Sequence, residues 1–572
     1  MSRIWRGGGF PAAFFLAAFL VLARLGSLPL VNPDEGRNAE IAREVAESGS
    51  WFVPTYNGVP YLDKPIFYFK AVALSLKAFG HSEAAARLPS ALFALALLLI
   101  LYAFCRKEYG ERAAGLAVVV VVTCPLFYAF SRIVIFDMPL AFFVCGAILA
   151  GYRAEECEGW ARRGYAIIGA AATGFATLVK GPVGFVIPAL VLSAYFIVDR
   201  RSGAIRRLFS PLNLLVFFTV VLPWFIGVAL ERPDFPHYGI VEETLKRFTT
   251  PTHRRTGPVY YYIPVMFGAC FAWSVLFPEA SLVAWRSRLH WKRADRLFVV
   301  WTIVVVAFFS ISQSKLPGYV LTAVVAVGVL TARLCERALE RRSGRAAEAV
   351  RHGVVVLATL SLGCALLLGA ESIHHGLLHN WVGASSRDFQ ELTPIFPGLA
   401  IAFGIAALTA AAAAIRQTVP AALAAFVVSS VLVLAVGFAG MRGFASSNSS
   451  KALAQAVEAR ATGTSVAFLR SYSKGISFYL RRPVALITED GGELSSNYVL
   501  FMLTRNRSWP AQLVPAAERD TWLASRRGGL LLLGDRRSHA ALDSIAARHD
   551  RLPEELAPGW WGVKLGPRPG SR

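Results

Sequence analysis

The stretch Asn32-Pro33-Asp34-Glu35-Gly36-Arg37 comes directly after the first long apolar segment of the chain, which lies near residues 10–30. It places two adjacent carboxylates and an arginine at the point where a membrane-spanning helix would leave the bilayer. Further along, Tyr61-Leu62-Asp63-Lys64-Pro65 again sets an acid beside a base. Charged loops that follow apolar spans in this way predict polar groups gathered at one membrane surface.

The composition agrees with a membrane protein. Of 572 residues, 55% are hydrophobic and 17% are charged, whereas soluble proteins carry about a quarter charged residues. The apolar residues come in long blocks, which predicts a polytopic α-helical membrane protein. The net charge of +22 comes largely from basic residues in the short loops between these blocks, so nucleic acid is not a predicted partner.

A membrane span needs about 20 apolar residues, and by that measure we predict about thirteen spans. They lie near 10–30, 84–105, 113–131, 136–152, 164–179, 182–199, 212–230, 259–284, 297–312, 317–335, 352–371, 392–415 and 419–441. The segment 65–80 is apolar and aromatic but short, and it contains Lys70 and Lys77. It predicts an amphipathic helix that lies in the membrane interface.

Charge asymmetry gives the orientation. Arg3 and Arg6 place the N-terminus in the cytoplasm, and the lack of a convincing cleavage site near Leu25–Val31 predicts an uncleaved first span. The basic clusters between later spans then all lie inside. The opposite face receives the loops 31–83, 231–258 and 372–391 and everything after residue 441. In a bacterium this arrangement describes the inner membrane, with that face in the periplasm.

The chain therefore divides into a transmembrane catalytic domain, 1–441, and a periplasmic C-terminal domain, 442–572. The run Ser446–Ser450 resembles a linker, and a helix is predicted over Lys451–Arg460. Buried strands are predicted at 465–469, 484–487, 498–502 and 530–533. Strands that alternate with helical stretches predict a small α/β domain. The seven cysteines lie in or beside apolar spans without metal-type spacing, so no disulfide framework is predicted.

Asp34 and Glu35 are the first candidates for chemistry. One interpretation is a helix N-terminus, which acidic residues favour; the other is a general base or metal ligand at the interface. Capping does not explain why Arg37 and the Asp63-Lys64 pair return to the same surface. Lys64 and Arg37 lie at the level of a lipid phosphate and predict a phosphate site, whereas a solvated turn is the alternative.

Three further charged residues stand close to the hydrocarbon at the predicted outer surface. Asp137 lies between two spans with almost no loop, and an acid there indicates function by default. Its alternative is a structural ion pair with Arg132 or Arg37. Lys180 and Lys315 stand at outer span ends, against the inside bias, and snorkelling is the alternative for both.

Histidines supply weaker signals. His253, in the loop 231–258, gains interest only as a second metal ligand beside Asp63. A second group would share a helical face with metal-ligand spacing: Glu371, His374, His375 and His379.

Taken in order, these motifs resemble the bacterial lipid A aminoarabinose transferases, in the protein O-mannosyltransferase-like branch of the GT-C superfamily. The resemblance rests on Asp34–Glu40, Tyr61–Pro65, Arg132–Pro139, Leu178–Pro182 and Phe308–Tyr319. It runs from the first span to about the tenth. The motifs are specific for the branch and much less so for the sugar or the acceptor.

The resemblance implies an enzyme that takes a sugar from a polyprenyl (undecaprenyl) phosphate carrier and passes it to an envelope lipid, with lipid A and aminoarabinose as the first expectation. It gives Asp34, Glu35 and Asp137 as catalytic and Arg37, Lys64, Lys180, Lys315 and Tyr319 as donor-phosphate residues. Asp63 falls where relatives carry a glutamate near a divalent metal, with His253 as its partner. A bound metal is thus an expectation, although aspartate is one methylene shorter.

The residues themselves agree with this chemistry. Cations can stabilise a departing phosphate, and direct displacement predicts inversion at the sugar carbon. The aromatic run Phe67-Tyr68-Phe69 is a candidate wall for a polyprenyl groove, and no nucleotide is expected because the chain lacks a GxxxxGK[ST] loop. The alternatives are a related transferase with another sugar or acceptor and, from a different class, a transporter. Internal repeats, which transporters usually show, are not found.

Overall fold

The structure is a computed structural model of the chain, and it describes residues 9–239, 242, 257–286, 288, 291–341, 343–374, 393–461, 463–504, 509–526 and 528–566. The chain forms two compact units. The first comprises Met1–Leu25, Ser90–Val221 and Phe248–Phe444, and the second comprises Gly26–Pro89, Leu222–Arg247 and Ala445–Arg572. The predicted domain boundary at residue 441 stays a prediction.

Helices dominate because the apolar blocks are rich in Ala, Leu, Val and Phe and each backbone hydrogen bond is satisfied within the segment. Their bounds are α1 Gly9–Leu22, α2 Asp34–Ser48, α3 Phe67–Phe79, α4 Glu83–Tyr109, α5 Glu111–Val122, α6 Pro125–Phe130, α7 Asp137–Glu155, α8 Gly159–Lys180, α9 Val183–Val198, α10 Ser202–Leu208, α11 Pro211–Glu231, α12 Phe235–His237, α13 Tyr262–Ala269, α14 Phe277–Arg286, α15 Arg293–Ile311, α16 Leu321–Glu340, α17 Arg345–His374, α18 Phe396–Arg416, α19 Val419–Ser447, α20 Lys451–Arg460, α21 Ile476–Leu480, α22 Arg519–Ser525 and α23 His539–Ala547.

Each predicted span falls on a helix or on a pair of helices. Among the described residues, eight helices are long and apolar enough to cross a membrane, and nine if one bent pair is a single span. That pair, Val259–Ala269 and Trp273–Arg286, bends by 113°. The predicted span 113–131 is broken into α5 and α6. Pro125 begins the second helix because it lacks the N–H that would continue the first.

Acidic residues hold the basic clusters of the first unit. Arg207 pairs with Glu155 at 2.5 Å, and Arg296 pairs with Asp199 at 3.1 Å. In the core of the same unit, the Trp273 indole donates to the Thr123 hydroxyl at 2.9 Å, so the buried indole N–H is satisfied.

The second unit combines α2 and α3, the short antiparallel strands β1 Thr55–Tyr56 and β2 Val59–Pro60, and a six-stranded mixed sheet. The sheet strands are β3 Ser465–Leu469, β4 Ala485–Thr488, β5 Leu513–Pro515, β6 Leu530–Asp535, β7 Glu554–Ala557 and β8 Trp560–Leu565. Their order is β5-β4-β3-β6-β8-β7, with β3 to β6 parallel and β8 antiparallel to both β6 and β7.

The small α/β domain is thus confirmed as a mixed-sheet domain, with three predicted strands in place. The predicted strand 498–502 is wrong: Val499–Leu503 is one short turn of helix. An apolar run of five residues fits either structure, and a carboxylate at the start of this turn, described below, favours the helix. The linker is shorter than predicted because α19 continues to Ser447.

The predicted interfacial helix is α3. Its residues Leu74 and Phe79 and the nearby Trp51 are about 70% exposed, and the Lys70 ammonium lies 3.7 Å from the centre of the Trp51 ring. An exposed apolar edge with a lysine that covers a tryptophan fits the membrane–water interface. Tyr68 and Phe69 point into the protein and are fully buried, so these two side chains do not form an open groove wall.

Candidate active site

The acid pair at the start of α2 separates into two environments. The Asp34 side chain is 43% exposed, and its carboxylate accepts a hydrogen bond of 2.6 Å from the Arg37 guanidinium. α2 begins without a side-chain capping hydrogen bond, so Asp34 does not act as a hydrogen-bonding cap. An accessible carboxylate fixed by an arginine one turn later is suited to contact a substrate.

Glu35, by contrast, is buried and held by the protein. Its two oxygens form a bidentate pair with Arg87, with both distances 2.8 Å, and one also accepts from the Val31 amide. Arg87 in turn donates to the carbonyls of Leu28 and Pro29. This arrangement ties the chain before α2 to the start of α4 and gives Glu35 a structural role. Its catalytic assignment stays a prediction.

Arg37 is largely buried among aromatic rings, with its guanidinium carbon 5.8 Å from the centre of the Tyr61 ring. Burial opposes its charge, but Tyr61 and Asp34 outweigh this cost and raise the pKa of Arg37. Its Nε is buried and has no hydrogen-bond partner in the described part of the chain. The Lys64 ammonium donates to the Asp63 carbonyl at 2.6 Å and is half-buried.

Asp63 holds three segments of the second unit together. Its carboxylate accepts hydrogen bonds from the Tyr238 hydroxyl at 2.7 Å, the Ser496 hydroxyl at 3.2 Å, and the amides of Asn497 and Tyr498 at 2.9 Å. The two amides begin the helical turn Val499–Leu503, so the carboxylate caps that turn from another segment. Asp63 therefore fixes residues 496–498 beside Lys64.

A metal at Asp63 would have to compete with these four donors. The predicted partner His253 lies outside the described residues, as do His375 and His379 of the second histidine group; Glu371 in that group is buried. Over the part of the chain that the structure describes, no group of three His, Cys, Asp or Glu could hold a metal ion. The metal stays a prediction, and no step below is routed through it.

The first unit contains a second cluster of predicted residues. Asp137 begins α7 and pairs at 2.8 Å with Lys180, which ends α8. The Lys180 ammonium lies 5.1 Å from the centre of the Tyr319 ring, and a Cβ built on Gly318 would be 2.7 Å from the Asp137 carboxylate. Glycine at 318 therefore lets the backbone approach this carboxylate closely.

Two other predicted contacts in this unit differ from expectation. The ion-pair partner of Asp137 within the unit is Lys180 rather than Arg132, whose guanidinium instead donates to the Leu20, Val21 and Ala23 carbonyls at the end of α1. The Lys315 ammonium is buried and donates to the carbonyls of Ser310 and Ser312, both at 2.8 Å. A lysine that satisfies carbonyls at a helix end serves as a C-cap, so snorkelling does not describe it and its donor-phosphate role stays a prediction.

A cavity of about 300 Å³ in the first unit contains none of the predicted site residues. It is lined by small and aromatic side chains of α7 to α11 and by Arg162, Arg163 and Arg207 of the predicted cytoplasmic loops.

Comparison with known proteins gives one family. The family model described as dolichyl-phosphate-mannose-protein mannosyltransferase matches residues 63–226. The undecaprenyl phosphate-α-4-amino-4-deoxy-L-arabinose arabinosyl transferase of Enterobacter sp. (strain 638) is 30% identical over 332 residues, which are 56% of this chain and 59% of that protein. The corresponding transferase 2 of Sodalis glossinidius is 32% identical over 322 residues, 56% of this chain and 58% of that protein.

The solved structures extend the likeness over the whole chain. ArnT from Cupriavidus metallidurans bound to undecaprenyl phosphate matches with a TM-score of 0.83 at 25% identity and covers 98% of both chains. The chain is a relative of the aminoarabinose transferases. The apo structure of the same ArnT matches with a TM-score of 0.81 at 26% identity, over 97% of this chain and 98% of that chain. The resemblance predicted from the motifs is confirmed, as is the membrane-protein fold with its C-terminal sheet domain.

The sequence alignments span about three fifths of the length of the curated transferases, so the likeness of substrates is argued below as a proposal. Sequence reasoning also missed several residues that build this transferase-like site. Arg87 carried a usable signal, because it is an arginine at the predicted outer end of a span, as Lys180 is a lysine there. Tyr238 and Ser496 carried none, since their contacts with Asp63 join positions more than 170 residues apart.

Proposed function

We propose that the protein is an inverting glycosyltransferase that moves aminoarabinose from undecaprenyl phosphate to lipid A at the periplasmic face of a bacterial inner membrane. The names of its relatives support the donor and the sugar, and the ArnT structure that holds undecaprenyl phosphate supports the carrier. The acceptor follows from the family resemblance of the motifs.

The observation that carries this proposal is the Asp34–Arg37 pair. The carboxylate is accessible, is not used as a hydrogen-bonding helix cap, and stands beside a buried guanidinium with an unpartnered Nε. A base beside a desolvated cation is the arrangement needed where an acceptor oxygen attacks a sugar phosphate.

The chemical step is a single displacement. Asp34 accepts a proton from the acceptor or orients its oxygen, and that oxygen forms a bond to the anomeric carbon. The bond between this carbon and the phosphate oxygen breaks, and its electron pair leaves with undecaprenyl phosphate. Arg37 and Lys64 stabilise the negative charge on the departing phosphate, and attack opposite the leaving group inverts the anomeric carbon.

The cluster of Asp137, Lys180 and Tyr319 supports a second binding role. The ion pair holds the Lys180 ammonium close to the Tyr319 ring, and a lysine so placed suits a phosphate oxygen. In this proposal Asp137 orients Lys180 rather than acting on the sugar.

The proposed membrane arrangement has thirteen crossings, with the N-terminus in the cytoplasm and the C-terminal domain in the periplasm. It is supported by the basic clusters, all of which fall on one side under this count, and by a helix or helix pair at every predicted span.

The test uses purified protein in detergent with undecaprenyl-phosphate-linked aminoarabinose and lipid A, with products followed by mass spectrometry. We expect a pentosamine-sized mass gain on lipid A, reduced about 100-fold or more in Asp34→Asn. Glu47→Gln is the matched control, because Glu47 is an exposed acid at the other end of the same helix. Transfer that persists undiminished in Asp34→Asn would overturn the catalytic assignment.

Extracted envelope lipids and other carrier-linked sugars form a second arm. A product with a different mass or acceptor, equally sensitive to Asp34→Asn, would replace aminoarabinose or lipid A but keep the transferase. Movement of the intact carrier lipid across proteoliposomes without any transfer would favour a transporter.

A further inference from the structure

A loop of the C-terminal domain lies directly against the first turn of α2. The Gly475 amide and the Asn32 side-chain amide both donate to the Ser450 hydroxyl, at 3.0 and 2.9 Å. A Cβ built on Gly36 would be 2.7 Å from the Gly475 Cα, closer than any side chain tolerates. Two glycines thus let the loop touch the turn that carries Asp34 and Arg37.

The residue before this glycine is Lys474, and aromatic rings connect it to Arg37. The Tyr56 hydroxyl donates to the Lys474 carbonyl at 2.6 Å. The Tyr56 ring packs edge-on against Tyr61, with their centres 6.3 Å apart, and Tyr61 in turn lies against the Arg37 guanidinium. Lys474 is therefore held in the same aromatic environment as the predicted phosphate-binding arginine.

The Lys474 ammonium donates to the carbonyl of Glu493, and it makes no ion pair with a carboxylate in the part of the chain that the structure describes. Burial lowers the pKa of Lys474 to about 8, and the positive charge of Arg37 lowers it further than any other neighbour does. A buried ammonium without an anionic partner is costly, and a like charge beside it adds to the cost.

An anion that reaches both cations would relieve this cost. Arg37 also has a buried Nε that lacks a hydrogen-bond partner among the described residues, and its pairing with Asp34 uses a different nitrogen. Two incompletely satisfied cations in one desolvated environment are suited to a phosphate group, which offers several strong acceptors.

We propose that Lys474, brought against the first turn of α2 by the C-terminal domain, binds the same phosphate group as Arg37. The phosphate belongs to the polyprenyl carrier or to the acceptor. This inference rests on the proposed function, and it makes the C-terminal domain a part of the substrate site rather than a separate module.

The test compares Lys474→Met and Lys474→Arg with wild type and with Lys564→Met, which removes an exposed lysine of the same domain. The affinity for undecaprenyl phosphate is measured in detergent by calorimetry, and the KM for lipid A in the transfer assay. We expect Lys474→Met to weaken one of these about tenfold or more, since a hydrogen bond to a charged group is worth at least that factor. Lys474→Arg should retain most of the affinity, and Lys564→Met should match wild type.

The two measurements identify the source of the phosphate. Weaker undecaprenyl phosphate binding assigns the carrier, and a raised KM for lipid A alone assigns the acceptor. Unchanged values in Lys474→Met, with wild type active, would overturn the inference and leave the proposed function intact. A wild type that neither binds undecaprenyl phosphate nor transfers sugar would overturn the proposed function itself.

Thermal unfolding separates binding from folding. Removing a poorly solvated charge should leave the unfolding midpoint of Lys474→Met unchanged or higher. Weaker binding together with a clearly lower midpoint, not rescued in Lys474→Arg, would mean that the lysine has only a structural role and would also overturn the inference.

Discussion

At the residue scale, the two adjacent acids of the opening motif differ in what surrounds them. Glu35 is buried in a bidentate pair with Arg87, whereas Asp34 is accessible. Because removal of one partner strands the other charge, we expect Glu35→Gln to lose about 3 kcal/mol or more of folding free energy. Measured unfolding midpoints in detergent should fall in Glu35→Gln and in Arg87→Met alike.

The same pair of variants tests the catalytic prediction for Glu35. Turnover per folded molecule should stay near wild type in both, because the pair holds the chain and does not face the substrate. A turnover lost in Glu35→Gln but kept in Arg87→Met, at equal stability, would show that the carboxylate itself takes part in catalysis.

Lys474 gives a pH dependence whose sign follows from its environment. Arg37, Glu493, Asp535 and Tyr56 are the charged or titratable groups that face it, and its pKa lies near 8, below that of a solvated lysine. The charged form binds phosphate, so affinity for undecaprenyl phosphate should be full near pH 7 and fall as pH rises through about 8.

The measurement is a series of dissociation constants from pH 6.5 to about 9.5. Subtracting the Lys474→Met series removes the titration of the ligand. Parallel profiles for the two proteins would contradict a charged Lys474 at the phosphate.

At the scale of elements, the turn Val499–Leu503 depends on a carboxylate from a distant loop. Asp63 accepts the amides of Asn497 and Tyr498 at the start of this turn. A neutral amide in its place loses charge-assisted hydrogen bonds worth about 1.5–3 kcal/mol each. We expect Asp63→Asn to increase hydrogen exchange at residues 496–504, with the strands of the sheet unaffected.

A chelator distinguishes this capping role from a metal site. Hydrogen exchange of the wild-type protein at 496–504 should be the same with and without EDTA, since protein donors already fill the Asp63 oxygens. Exchange that rises with EDTA as much as with Asp63→Asn would instead favour the predicted metal.

The same contact explains where sequence reasoning ended. Long apolar blocks predicted nearly every helix, and Lys451–Arg460 and Ser465–Leu469 have the predicted bounds, because a single periodicity decides them. The run 498–502 reads equally well as strand or helix, and Asp63, more than 430 residues away in sequence, favours the helix. The motifs likewise predicted Asp34 and Arg37 but not Lys474, which lies in the part of the chain that the motifs do not cover.

At the scale of the whole molecule, the count of crossings decides where the C-terminal domain lies. With the N-terminus in the cytoplasm, an odd count such as thirteen puts residues after 441 in the periplasm, and an even count puts them in the cytoplasm. Eight described helices pass as spans by length and composition alone. The proposed periplasmic domain therefore requires shorter or broken helices such as α1, α5–α6 and α9 to supply further crossings.

Labelling of single cysteines in intact spheroplasts tests this count. The background replaces the half-buried Cys157 and Cys364 by serine, since the other five cysteines are buried. We expect a membrane-impermeant maleimide to label Ser525→Cys, on the exposed end of α22, and not Ser202→Cys, in a predicted cytoplasmic loop. Both should react after the membrane is opened with detergent. Labelling of Ser202→Cys in closed cells, with Ser525→Cys protected, would reverse the orientation, and protection of both would make the number of crossings even and remove the C-terminal domain from the periplasm.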